Sequence, residues 1–234
     1  MEETFTARTE LLIGVEGLDK LSRARVAVIG LGGVGSFAAE ALARAGVGYL
    51  ELVDYDYIVP SNINRQLHAL HSTVGQPKVL VMARRLQDIN PRLMVVPRQE
   101  RYTPDTGRLF VRPDLDYLVD AIDTVQDKAD LLARAYNSGI RIVSSMGAGN
   151  RLDPTALEVA DISATRGCPL ARAVRRHLRR RGIQGGIKVV YSREALRKNS
   201  GGASQGRRPP GSISFVPSVV GLILASIVVR ELLE

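Results

Sequence analysis

The chain has 234 residues, 45% of them hydrophobic, enough for one α/β domain with a sizeable core or a domain with a large insertion. Its single cysteine, Cys168, excludes a disulfide framework and a cysteine-built structural zinc site, and fits a reducing, cytoplasmic setting. The net charge of +8 is concentrated: thirteen Lys and Arg stand against one acid, Glu194, between Ile162 and Ser212, so this one region is suited to a polyanion.

The acidic, polar start at Met1 reads as no signal peptide. Leu11, Leu12, Ile13, Val15, Leu18 and Leu21 predict one or two short helices over residues 5–21, packed on a sheet, with Arg8 near their start and within reach of a neighbouring molecule. From Arg25 the order is strand, glycine loop, helix, strand, acid. Val26 to Ile29 form a buried apolar run, and Gly30-Leu31-Gly32-Gly33-Val34-Gly35 follows it. An Ala-rich helix spans Ser36 to Ala45, and a second strand from Tyr49 to Val53 ends at Asp54. This is a nucleotide-binding βαβ unit: the glycines let the backbone approach a phosphate, the helix N-terminus offers free N–H groups, and Asp54 can accept from ribose hydroxyls. The glycine loop alone would also suit an NAD-dependent oxidoreductase.

A long polar segment, Tyr55 to Gln66, then carries Asn62, Arg65 and Gln66 together and has no job in a dehydrogenase. Pro77 opens a helix in which Val79, Met82, Ala83, Leu86 and Ile89 recur at helical spacing. Lys78 therefore lies at a helix N-terminus, where its charge opposes the macrodipole; a phosphate ligand belongs there. A third strand spans Leu93 to Val96, and Thr103-Pro104-Asp105 predicts a short helix. The strand from Tyr117 to Ala121 leads to Asp123, at the crevice where open α/β sheets bind ligands. A helix over 125–138, a strand over 140–144 and a small-residue loop over 145–150 complete the first 150 residues.

The remainder, residues 151–234, reads as an extension of the same single unit. A strand is expected over 156–162. Cys168-Pro169 opens a helix to about Arg181 that carries Arg172, Arg175, Arg176, Arg179, Arg180 and Arg181, a candidate polyanion-binding face. Residues 187–191 form a strand, residues 199–212 a mobile Gly/Ser/Arg/Pro loop, residues 213–216 an extended segment, and Pro217 opens an apolar helix to the end. The uncharged run from Ile213 to Val229 falls short of the ~20 residues that span a bilayer, so the helix is expected in the core or at a dimer interface.

Taken in order, G-L-G-G-V-G, D-Y-D-Y-I-V-P-S-N-I-N-R-Q, G-Q-P-K and D-A-I-D resemble the ubiquitin-activating-enzyme-like superfamily of ATP-dependent adenylating enzymes. F-T-A-R-T-E-L-L-I-G at Phe5, L-D-P-T at Leu152, C-P-L-A at Cys168 and P-G-S-I-S-F-V-P-S at Pro210 resemble, within it, the branch of tRNA-modifying dehydratases that cyclise threonylcarbamoyladenosine. The resemblance implies a Rossmann-like, mostly parallel sheet with flanking helices, ATP and Mg²⁺ as cofactors, a homodimer, and tRNA as substrate. It also brings a cysteine-desulfurase or sulfur-acceptor system into view as a partner. It implies that Gly30, Gly32, Gly33 and Gly35 cradle phosphates and Asp54 holds the ribose. Asn62, Arg65 and Lys78 contact phosphates, Gln66 supports them, and Asp123 holds Mg²⁺ or steers the attacked phosphate. Arg8 reaches the partner's site. The alternative within the superfamily is adenylation of a ubiquitin-like sulfur-carrier tail; the basic region and the missing zinc cysteines argue against it.

Overall fold

The computed structural model describes residues 4–197 and 210–234. Thirteen principal elements follow one another: α1 (Ala7–Arg23), β1 (Arg25–Ile29), α2 (Gly35–Ala45), β2 (Tyr49–Val53), α3 (Lys78–Ile89), β3 (Met94–Arg98), β4 (Tyr117–Asp120), α4 (Val125–Asn137), β5 (Arg141–Ser145), β6 (Leu157–Asp161), α5 (Pro169–Arg179), β7 (Lys188–Ser192) and α6 (Phe215–Leu233). The strands form one seven-stranded sheet in the order β3-β2-β1-β4-β5-β7-β6. All pairs are parallel except β6 with β7.

Parallel strands covered on both faces need apolar side chains on both, and β1 meets that need residue by residue. Val26 and Val28 face a core shared with α2, α3 and α6, while Ala27 and Ile29 face one shared with α4 and α5. The strand order reverses between β2-β1 and β4-β5, so the chain leaves β1 and β4 in opposite directions. A crevice opens at their C-terminal ends, the general position of ligand sites in open α/β sheets. The strands of the extension, β6 and β7, complete this same sheet.

α6 is apolar all round because it is buried on several sides. Its mean hydropathy of 2.0 would pass for a membrane span by composition. Here Val216, Val220, Leu224, Ile227 and Val228 are buried against α2, β5 and β7. Its last turn is tied to the sheet by Glu231, which accepts from Tyr117 Oη at 2.7 Å and pairs with Lys188.

The structure corrects four expectations. α1 is one helix kinked at Gly14 (φ 70°), and only Gly17 and Leu21 are buried; Ile13 packs against the core, but Leu11, Leu12 and Val15 point to solvent, so half of the six apolar residues do not pack on the sheet. Thr103-Pro104-Asp105 begins a turn in which Thr106 Oγ1 takes the N–H of Thr103, followed by a single 3₁₀ turn over Gly107–Leu109; the expected helix does not form. The extended segment over 213–216 is absent because α6 already starts at Phe215, with Pro217 in its first turn, where a missing N–H costs nothing. Of the expected loop over 199–212, residues 199–209 lie outside the described residues, and the rest lines the crevice.

Candidate active site

The crevice is a cleft of about 900 Å³. The glycine loop forms its floor. Gly30 has φ 93°, and a Cβ there would lie 2.8 Å from the carbonyl oxygen of Ala121. A Cβ on Gly35 would lie 1.8 Å from the Gly30 carbonyl oxygen, so no other residue closes this turn. A Cβ on Gly32 would meet nothing within 4 Å; that side of the loop is open to a ligand. The loop is locked by bonds from the Gly30 N–H to the Val53 carbonyl (2.8 Å), from the Leu31 N–H to Asp54 (2.7 Å) and from the Ser36 hydroxyl to the Gly32 carbonyl (2.8 Å). The loop residues Gly32, Gly33 and Val34, just ahead of the N-terminus of α2, line the cleft, so the positive end of that helix lies beside it.

Asp54 is buried, and both its oxygens accept backbone N–H groups, from Leu31 and Asp56. Burial pushes its carboxyl above the ordinary carboxylate range, while Lys78 and these two N–H groups pull it back toward ionisation. Lys78, 4% exposed, opens α3 beneath it. Its Nζ lies 2.7 Å from Asp56 and 3.9 Å from Asp54, and its backbone N–H donates to the Asp56 carbonyl. Asp56 was not singled out in the sequence. Its signal was there: in an extended chain, residues two apart point to the same side.

Asn62 is buried in a 3₁₀ turn, where its Oδ1 accepts the Val59 N–H at 3.2 Å, so it shapes the loop as well as lining the cleft. Arg65 passes its stem over Gly33, and its Nη1 is held by the carbonyl of Ser61 (2.8 Å) and by Asn64 (2.9 Å). Gln66 lines the cleft with Oε1 buried and unpartnered. Asp123 is exposed on the opposite wall and takes no ion pair among the described residues; nearby Asp127 is held by Arg101 at 3.1 Å. A network behind this wall fixes it. Lys128 and Asp120, both fully buried, pair at 2.6 Å. Asp120 also accepts the Ile122 N–H, and Lys128 donates to the Ser145 carbonyl.

Seven segments of the first 150 residues thus meet in one cleft, with one exception. Arg8 is exposed on α1 and does not line the cleft of its own chain. The six arginines on and just past α5 divide. Arg175 donates to Thr165 and still lines a shallow groove, whereas Arg181 pairs with Asp130 at 3.2 Å and lies outside it. Arg172, Arg176, Arg179 and Arg180 are exposed, take no acidic partner among the described residues, and line the same groove. The extension also lines the cleft, among other residues with the buried Cys168 and Arg151; the second was not legible in the sequence.

A mostly parallel sheet with a glycine loop, a ribose-side acid and a buried lysine at its switch point defines a nucleotide-binding enzyme class. Residues 6–234 match the ThiF family, and the chain belongs to it. Among its relatives, the tRNA threonylcarbamoyladenosine dehydratase of Bacillus subtilis is 48% identical over 239 residues, covering 97% of this chain and 94% of the relative. That of Escherichia coli is 40% identical over 195 residues, covering 80% and 73%. The crystal structure of the Escherichia coli tRNA N6-threonylcarbamoyladenosine dehydratase in complex with ATP has a TM-score of 0.88 to this fold. It is 35% identical and covers 96% of this chain and 92% of that one.

Proposed function

We propose that this chain is an ATP-dependent dehydratase that activates the carboxylate of threonylcarbamoyladenosine in tRNA and promotes its cyclisation. The observation that carries the reading is the cleft itself. It gathers the glycine loop, Asp54, Asn62, Arg65, Lys78 and Asp123 in a chain that is similar over nearly its whole length to enzymes of that name.

A carboxylate resists attack because oxide would have to leave. One of its oxygens attacks the α-phosphorus of ATP, the bond to the β-phosphate breaks, and pyrophosphate departs. The substrate's own carbamoyl group then attacks the acyl carbon, and AMP leaves with the former carboxylate oxygen. The net loss from the substrate is one water. Such chemistry depends on placement and charge. The glycine loop positions the phosphates, Asp54 the ribose, and Arg65 and Lys78 bring positive charge to the transferred group. Mg²⁺ bound with ATP typically keeps several waters and uses one or two carboxylates besides phosphate oxygens, so the unpaired Asp123 fits it without a closed ligand cluster, and the ion would offset charge on the phosphates. Ring closure is intramolecular, where effective molarities of ~10⁵ M or more are attainable; the cleft has only to hold the closing conformer.

The exposed arginines of α5 meet the tRNA backbone. The enzyme works as a cytoplasmic homodimer and as one adenylation unit, in which 1–150 carry the nucleotide and 151–234 face the substrate. The exposed apolar side of α1 supports the dimer. Arg8, displayed on the same helix and outside its own cleft, is placed to serve the neighbouring copy.

The test is mass spectrometry of nucleosides from threonylcarbamoyladenosine-bearing tRNA after incubation with the protein, ATP and Mg²⁺. The expected product is lighter by one water. Asp123→Ala should abolish it and leave tRNA binding within twofold or so. Wild-type protein that leaves the nucleoside unchanged would sink the reading.

A further inference from the structure

At the end of the cleft built by the extension, one charged group has no counterpart. Arg151 follows the loop that leaves β5. Its backbone is pinned: Asn150, at φ 56°, donates its N–H to the Gly211 carbonyl (2.8 Å), accepts the Gly211 N–H at Oδ1 (2.6 Å) and accepts the Arg197 N–H at its carbonyl (3.0 Å). The side chain is 4% exposed and forms part of the cleft wall beside Cys168 and Leu170. Its one hydrogen bond is long, from Nη2 to the Gly167 carbonyl at 3.4 Å. Among the described residues Nε and Nη1 are buried without any acceptor, which leaves three N–H donors unmet. The acids of this segment have other partners: Glu194 accepts the N–H groups of Leu152 and Asp153 and pairs with Arg197, and Asp153 accepts from Thr155. A guanidinium cannot shed its proton, and burying it without an anion is costly.

We propose that Arg151 is the subsite for the carboxylate of the substrate, an inference that rests on the dehydratase reading above. The cations of the nucleotide half, Arg65 and Lys78, lie with the glycine loop, so the anion Arg151 calls for is a second one. The group is recessed. A polynucleotide's phosphodiesters run along its outside, where the exposed arginines of α5 are available; a small anion at the tip of a flexible arm can enter the wall. Arginine suits a carboxylate because its planar N–H array matches the two oxygens. The chemistry needs such a cation. Carboxylate and triphosphate repel each other, and a guanidinium on one carboxylate oxygen offsets that repulsion while the other oxygen attacks phosphorus. Arg151 forms no covalent bond and moves no proton.

The probe is an anticodon stem-loop bearing threonylcarbamoyladenosine, either as the free acid or as its methyl ester, with an unmodified stem-loop as reference. Binding to the full chain is measured without ATP, so no turnover intervenes. Wild-type protein should bind the acid roughly tenfold more tightly than the ester, the scale of one charge-assisted hydrogen bond. Arg151→Gln should bind both as the wild type binds the ester, and Arg151→Lys should keep part of the preference. Equal binding of acid and ester by the wild type overturns the proposal, and that arm needs no variant to fold. So does an Arg151→Gln loss that is equal for acid, ester and unmodified stem-loop, which would assign the residue to a phosphodiester or to the fold. Acid preference without dehydration in the presence of ATP would keep the subsite and refute the reading beneath it; dehydration without acid preference would do the reverse.

Discussion

The lysine that opens α3 is stationed between Asp54 and Asp56, and this explains how a cation can be buried at the positive end of a helix. The two carboxylates offset its charge. A second buried base close by works differently. His68 is 2% exposed, with both ring nitrogens unpartnered. Burial, with the charge of Lys78 adding to it, pushes the imidazole down to about 4. The fold therefore favours the neutral ring. As pH falls below the unfolded value of about 6.5, the unfolded chain takes up the proton first. The stability that His68 contributes is present above that pH and is lost as pH falls toward 4, a change of about 3 kcal/mol at most. Urea unfolding of wild type and His68→Leu at pH 7.5 and 4.5 reads this directly. The wild type should lose ~2–3 kcal/mol more than the variant; coincident pH dependences would mean that the ring takes up its proton as readily in the fold as in the unfolded chain.

Single residues were legible in the sequence where a contiguous motif fixes their surroundings. Gly30 to Gly35 and Asp54 belong to one βαβ unit, so their mutual placement is local. Arg151 was not legible, and Asp56, though two residues from Asp54, was not singled out. What distinguishes them is a contact, or a missing contact, with groups far along the chain: Gly167 for the one, the Lys78 side chain for the other.

Helix α5 shows how far periodicity carries. Helical spacing puts Leu170, Ala173, Val174, His177 and Leu178 on one side; in the structure Val174 and Leu178 are buried together with Ala171, while Leu170, Ala173 and His177 are only partly covered. Spacing could not say that Arg175 would fold back on Thr165 or that Arg181 would find Asp130 on α4. Arg172, Arg176, Arg179 and Arg180 are the four that stay exposed without an acidic partner among the described residues. Changing these four to Gln should reduce the slope of log K against log salt for tRNA binding by about 3, since each phosphate contact contributes roughly 0.7–0.9. An unchanged slope would make the helix a bystander. Changing Arg181 alone should instead lower stability, because it strips one partner from buried Asp130. At the same scale, α6 meets α2 at Gly221, where a Cβ would come within 2.3 Å of the Val34 carbonyl oxygen. The apolar terminal helix thus buttresses the segment that ends the glycine loop.

Across the whole molecule, the feature least at ease in a lone chain is α1. Leu11 is 90% exposed, Leu12 84% and Val15 70%, on a helix whose inner side buries little. Exposed apolar groups clustered in this way mark association surfaces. On the proposed dimer, the wild type should sediment as a dimer, and Leu12→Asp combined with Val15→Asp should make it a monomer in sedimentation velocity. If Arg8 acts across the interface, dehydration should fall with it while the fold persists by circular dichroism. A variant that stays dimeric would move the interface elsewhere.

The sequence by itself determined the order of strands and helices, the place of the nucleotide and the chemical types around it. Hydrophobic period and glycine geometry act over a few residues, and the βαβ unit is built from such short-range rules. Only the tertiary structure decided which arginines stay free, where the apolar residues of α1 point, that the extension's strands complete the same sheet, and that a buried guanidinium waits without a counter-charge. Those outcomes depend on long-range contacts between segments, and burial and charge pairing are settled where the segments meet.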